Sequence, residues 1–177
     1  MTHPRFLRAF TLATALCAAT TLLTACGGEK SSGDTADTPS ATVAAAPEAP
    51  ADKGAATYGQ ICASCHQATG LGVDGTYPPL KASEWLLGDP SVPIAIVIAG
   101  LQGEITVGGK QYSGAMQPWG MLSDDDVAAV LTYARSQWGN AAGPVTSDQV
   151  EEVREKMGSR TAWTVDELKK AYPTAGK

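Results

Sequence analysis

The pattern of apolar and polar positions divides the chain into three regimes. Residues 9–25 form an uncharged stretch rich in Ala, Leu and Thr. Residues 26–52 are small, polar and Pro-containing, with nothing that could bury a core, and read as a flexible tether. From Gly54 onward the texture is that of a folded domain. Gly54 to Cys62 predicts a short helix running into Cys62-Ala63-Ser64-Cys65-His66, and residues 67–80 are turn-rich. Asp89-Pro90 reads as a helix start and Gly100 as its stop; the intervening Ile94-Ala-Ile-Val-Ile98 is strand-like in composition, but the flanking signals favour helix. Ile105-Thr-Val107, Gly108-Gly109 and Lys110-Gln-Tyr112 predict a hairpin. Ser123 with Asp126 resembles a capping box opening a helix to about Gln137, with Val127, Val130, Leu131, Tyr133 and Ala134 as its apolar stripe. Thr146 with Gln149, and Thr164 with Glu167, predict two further helices, so 141–177 reads as a helical C-terminal extension of a domain spanning 53–140. There is no internal repeat.

Composition narrows the function. The chain has 177 residues, with a formal charge of −5, which argues against nucleic acid as a partner. Residues 1–25 contain no acid; Arg5 and Arg8 precede the apolar stretch, the pattern of a secretory signal peptide. It ends Leu23-Thr24-Ala25-Cys26-Gly27, which resembles the bacterial lipoprotein box, in which Cys26 would become the lipidated first residue. The alternative is an ordinary signal peptide cleaved nearby, leaving Cys26 as an unpaired thiol. Lipidation with two or three acyl chains would hold the protein stably on a membrane surface, at the periplasmic face of a bacterial membrane. From Cys26 the chain keeps 11 Lys and Arg against 18 Asp and Glu, a charge of −7, with three Cys and a single His.

Two of those Cys and the His form C-x-x-C-H, Cys62 to His66, the attachment signature of c-type haem. Thiols about one turn apart can each add to a vinyl group on one edge of a porphyrin, and the residue after the second then presents a ring nitrogen to the iron. A thioredoxin-like pair lacks a βαβ context, a zinc site lacks further Cys or His ligands, and a disulfide would leave His66 without a role. A covalent haem leaves the sixth iron position to be assigned. Met116, in the aromatic, Gly- and Pro-rich loop Tyr112–Gly120, is the first candidate, since thioether ligation makes a His/Met cytochrome and raises the potential. Met121 is the runner-up, although a residue just ahead of the Ser123 cap suits a staple at the helix entry. An open position is the third reading. Met157, near the end of a tail helix, suits ordinary packing.

With these motifs in place the chain resembles the class I c-type cytochromes from Gly54 to Asn140. Gly54 and Tyr58 stand eight and four residues before Cys62, where the family keeps a Gly and an aromatic that pack on the last core helix, here at Val130 and Tyr133. Pro78-Pro79-Leu80 matches the family's Pro-x-Leu, which implies that the Pro78 carbonyl accepts the second imidazole N–H of His66. Tyr77–Leu80, Ser83–Trp85, Gly100–Gly103, the 105–112 hairpin, Leu122–Tyr133, Trp138–Asn140 and Val145-Thr146 recur in order. Together they look like monohaem cytochromes serving periplasmic dehydrogenases and reductases. One departure is Met116-Gln117-Pro118, where the family usually has Pro directly after Met. The resemblance implies an all-α class I cytochrome c fold: three to five short helices around one covalent haem, a small β-hairpin, and here the helical extension.

The functional expectation is a membrane-tethered monohaem carrier passing single electrons between a redox enzyme and a respiratory-chain partner. Leu80, Trp85, Tyr112 and Trp119 are candidates for the apolar shell of the haem. With two propionates ionised the mature protein would carry about −9, favouring a partner with a basic patch and association that slows with salt. Asp124–Asp126 and Glu151-Glu152 are either docking acids or simply solvated helix faces. Two other functions compete: an electron-transfer subunit of a periplasmic quinoprotein dehydrogenase complex, with the extension as docking surface, and a haem enzyme or gas sensor with a labile sixth ligand.

Overall fold

The computed structural model describes residues 50–177. The expected signal peptide at 1–25, the expected lipidation position Cys26 and the expected tether up to residue 49 lie outside the described residues. The last three tether residues prove helical: helix α1 spans Pro50–Thr57, so the first helix starts ahead of Gly54. It runs into a single wide π turn, Tyr58–Cys62, and then α2, Ala63–His66. Gln67, at φ 62°, turns the chain sharply away after His66.

The strand-like Ile/Val segment is helical. In α4, Ser91–Ala99, the Asp89 carboxylate accepts the Ser91 N–H at 2.9 Å and Gly100, at φ +80°, ends the helix. Local caps and burial on all sides outweigh the β-propensity of Ile94, Ile96, Val97 and Ile98. A one-turn helix α3, Glu84–Leu87, precedes it. The strands β1 (Leu101–Gln102), β2 (Ile105–Val107) and β3 (Lys110–Tyr112) follow, and β2 and β3 form the expected hairpin with Ile105 opposite Tyr112. Helix α5, Asp124–Ser136, starts with a complete capping box from Ser123 and Asp126 and buries Val127, Val130, Leu131 and Ala134, while Tyr133 is half-buried. Helices α6 (Ser147–Met157) and α7 (Val165–Ala171) carry the same device at Thr146 with Gln149 and Thr164 with Glu167.

Helix α1 packs across α5. Gly54 meets α5 so closely that a Cβ would lie 2.3 Å from the Ala129 carbonyl oxygen and 2.9 Å from the Tyr133 Cβ. Tyr58 then packs its ring at a tilt against Tyr133 at 5.5 Å and Trp138 at 5.1 Å between centroids, and its hydroxyl donates to the Gln67 carbonyl at 2.7 Å. Burial pushes the Tyr58 pKa up, with Cys62 and Tyr133 adding to the effect. Arg135 is 5% exposed; its guanidinium donates to the Leu86, Gly88 and Gly143 carbonyls, tying α5 to α3 and to the chain entering the extension. Burial lowers its pKa, and Asp89 opposes that.

The extension belongs to the main apolar core. Val150 and Leu168 are fully buried, and Val153, Trp163 and Tyr172 join the same apolar cluster as α4 and α5. Residues 163–164 form a further strand, β4 (Trp163–Thr164), that pairs parallel to β1, with Leu101 opposite Trp163. This pairing departs from the expected single hairpin, because two-residue strands far apart in sequence leave no local period to detect. The Arg160 guanidinium lies 3.1 Å from the centroid of the Trp163 ring, covering its outer face.

A Gly54→Ala substitution is expected to cost about 1–3 kcal/mol by overpacking the α1–α5 crossing. A denaturant titration of the haem-loaded protein checks it; an unchanged midpoint would mean the crossing relaxes.

Candidate functional site

A cavity of about 310 Å³, within the range of small-molecule and cofactor pockets, sits among α2–α5 and the loop after β3. Cys62, Cys65, His66 and Met116 all line it. The wide turn Tyr58–Cys62 and the short α2 set the two thiols and the imidazole on one stretch of backbone.

His66 is oriented by the turn-rich segment that follows. Its Nδ1–H donates to the Pro78 carbonyl at 3.0 Å. A carbonyl can only accept, so Nδ1 carries the proton and Nε2 keeps its lone pair for a metal. Burial lowers the His66 pKa, partly opposed by the Pro78 bond, which favours the neutral, ligating imidazole. Burial pushes the Cys62 thiol up to about 11, with Cys65 adding to the shift, so the thiol is protonated at neutral pH. Both Cys are free thiols rather than a disulfide.

The Pro78 carbonyl is itself held. Gly72, at φ +65°, lets the loop fold on itself; a Cβ there would lie 2.2 Å from the Tyr77 carbonyl oxygen. Gly72 N–H donates to the His66 carbonyl at 3.0 Å, and Leu80 N–H to the Gly70 carbonyl at 2.8 Å. Asn140, 8% exposed, closes the far end: its Nδ2 donates to the Leu80 and Ala134 carbonyls at 3.2 and 2.9 Å, and its Oδ1 accepts from Ala82 N–H at 2.9 Å. Trp138 Nε1 donates to the Ala68 carbonyl at 3.0 Å. The two residues that clamp this loop to the end of α5 were legible only as parts of a recurring Trp138-Gly-Asn140 run; their bonds carry no sequence signal of their own.

The walls are largely apolar. Pro78, Leu80, Trp85 and Trp119 line the cavity, as do Ile96, Val97 and residues of α5. Trp85 is fixed by its indole N–H to the Thr106 carbonyl at 2.8 Å. Tyr112 shares the hairpin face of its partner Ile105, which lines the cavity, and is buried against the core, but it is not itself among the lining residues. Met121 is 78% exposed and outside the cavity, so it neither reaches a metal there nor staples the α5 entry. Met157 packs partly buried against the core. The acidic cluster is engaged within the chain: Asp124 pairs with Arg154 at 2.9 Å, Asp126 with Lys53 at 2.8 Å, and Asp125 accepts from the Ser147 hydroxyl.

Two thiols, a neutral imidazole with a free Nε2 and a thioether around an apolar slot suit a covalently attached haem. Among the described residues no three of His, Cys, Asp and Glu converge to hold a bare metal ion. The family described as "Cytochrome C oxidase, cbb3-type, subunit III" matches residues 49–133. Over 112 residues the chain is 38% identical to cytochrome c-552 of Thermus thermophilus, covering 58% of this chain and 85% of that protein. It is 35% identical over 108 residues to the fructose dehydrogenase cytochrome subunit of Gluconobacter japonicus, and 32% identical over 104 residues to the cytochrome c subunit of the quinone alcohol dehydrogenase of Gluconobacter oxydans strain 621H. Each of these two matches covers 57% of this chain and 22% of the relative. The chain belongs to the class I c-type cytochromes. Its cofactor is covalent haem c, and its activity is electron carriage.

Asn140→Ala should cost about 1–3 kcal/mol, since it strips partners from Ala82 N–H and from the Leu80 and Ala134 carbonyls at a buried position. Thermal unfolding of the haem-loaded variant checks the loss; an unchanged melting temperature would show that water replaces the amide.

Proposed function

We propose that the protein is a lipid-anchored periplasmic cytochrome that passes single electrons between redox proteins, with haem linked through Cys62 and Cys65 and iron held by His66 and Met116. The observation that carries this reading is the convergence of those four side chains on one apolar cavity, with His66 already oriented by Pro78. The haem supplies reversible one-electron chemistry at iron. Around it the chain does three things. His66 is held neutral and aimed, Met116 would offer the metal a soft, uncharged donor, and Leu80, Trp85 and Trp119 would exclude water, which disfavours the extra positive charge of the oxidised form. With His66 and Met116 both bound, the iron would offer substrate no open place.

Export and tethering are supported by the signal-like segment at 1–25, by Cys26 at its end and by the polar stretch that follows. The partners proposed are a periplasmic dehydrogenase or reductase on one side and a respiratory-chain protein on the other. The printed names of two relatives also favour a second reading, in which the chain works as the cytochrome component of a dehydrogenase assembly. Co-purification with a large partner in detergent would select that reading.

Optical spectra should show a low-spin haem with the weak Met-to-ferric charge-transfer band, unaffected by carbon monoxide after reduction. Met116→Ala should lose the band and bind carbon monoxide, and Met121→Ala should do neither. High-spin wild-type protein that takes up carbon monoxide readily would replace the carrier reading with a haem enzyme or gas sensor. In cells fed labelled palmitate, the wild-type chain should incorporate label and fractionate with membranes. Cys26→Ala should do neither; equal labelling of both would exclude Cys26 as the lipid site.

A further inference from the structure

The segment that carries Met116 has no regular structure of its own and is fixed from outside along its length; ahead of Met116, Ser113 and Gly114 N–H donate to the Gly75 and Thr76 carbonyls at 3.2 and 2.8 Å. Met116 exchanges both backbone hydrogen bonds with Leu101, at 2.8 and 2.9 Å. Trp119 N–H donates to the Val97 carbonyl of α4 at 2.9 Å. The Gly120 and Leu122 carbonyls accept from the two terminal nitrogens of Arg154 at 2.9 and 3.0 Å, while Arg154 Nε bonds Asp124 at 2.9 Å. Leu101 is held in turn by the extension. Its strand pairs with Trp163, whose backbone N–H donates to the Gly100 carbonyl at 3.0 Å and whose indole donates to the Ala95 carbonyl at 3.1 Å. Arg154 and Trp163 both lie in the C-terminal extension, and neither lines the cavity.

We propose that the extension is a strut for the sixth iron ligand, with Arg154 and Trp163 as positioning residues that set how readily Met116 leaves the metal. The inference rests on the reading of Met116 as that ligand. A thioether is a soft donor and binds the harder ferric iron less firmly than ferrous. Its occupancy therefore depends on what the loop gains by swinging away, chiefly backbone entropy. A loop pinned at Leu101 on one side and at Gly120 and Leu122 on the other cannot collect that entropy without breaking the pins. Arg154 suits the task because its planar fork reaches two carbonyls at once, which an ammonium group does less well.

The test uses the full haem-loaded chain and two readouts: the rate of carbon monoxide binding after reduction, and the pH at which the charge-transfer band disappears from the oxidised protein. Arg154→Ala should bind carbon monoxide about tenfold faster than wild type or more and lose the band at lower pH, with Trp163→Phe and Arg154→Lys shifted in the same direction by less. Val127→Ala, a fully buried α5 change away from the cavity, should lower the melting temperature without moving either readout. If Val127→Ala moves both as far as Arg154→Ala does, the effect is general loosening and the strut is refuted. Wild-type rates and band in Arg154→Ala and Trp163→Phe, beside rapid binding in Met116→Ala, would overturn the strut while leaving the ligand reading intact. A wild-type protein without the band, unchanged by Met116→Ala, would remove the ligand reading and the strut with it. Should Arg154→Ala fail to yield haem-loaded protein, Arg154→Lys and Trp163→Phe decide between the same outcomes.

Discussion

The hydrogen bond from His66 Nδ1 to the Pro78 carbonyl constrains much of the surrounding chain. A metal ligand on a short helix can rotate about two side-chain bonds, and a single acceptor at the rear of the ring removes that freedom while fixing the tautomer. The acceptor is useful only if it stays put, and it belongs to a loop without helix or strand. The tight glycine at Gly72, the Leu80–Gly70 backbone bond, and the Asn140 and Trp138 clamps all keep that one carbonyl in place. Asn140 and Trp138 follow directly on α5, so the orientation of the imidazole is referred back to the helix that α1 crosses.

The crossing imposes its own demand on sequence. Helices can approach this closely only where a side chain is missing, and Gly54 supplies the gap against Ala129 and Tyr133. Tyr58, one turn later, fills the space that opens and carries its hydroxyl back to Gln67, the residue at which the chain leaves α2. The same two positions thus set the helix crossing and the exit of the chain after His66.

Much of this was legible beforehand, and the reason lies in how local each signal is. The caps at Ser123, Thr146 and Thr164 depend on residues three apart, and all three boxes form. Gly108-Gly109 sets a turn on its own, and the hairpin follows. The Cys62–His66 spacing states its chemistry within five residues, and Pro78 lies near enough for a family resemblance to supply its role. What escaped is non-local. The parallel pairing of Trp163 with Leu101, the bridge from Leu101 to Met116 and the Arg154 fork on two carbonyls join segments that carry no mutual pattern in the sequence. That Tyr112 is absent from the cavity lining and that Met121 is exposed were not legible for a related reason. How far a hairpin residue reaches, or the exposure of one residue before a cap, is decided by neighbours brought in from elsewhere.

The pairing of β4 with β1 also has a consequence for the order in which the molecule assembles. Trp163 reaches Ala95 across 68 residues of chain. Closing a span of that size costs configurational entropy that contacts within a helix or hairpin do not, so it is repaid only once its target is already ordered. The attachment helix, the hairpin and the capped α5 need no such closure and can form early. The C-terminal segment is then the last to lock.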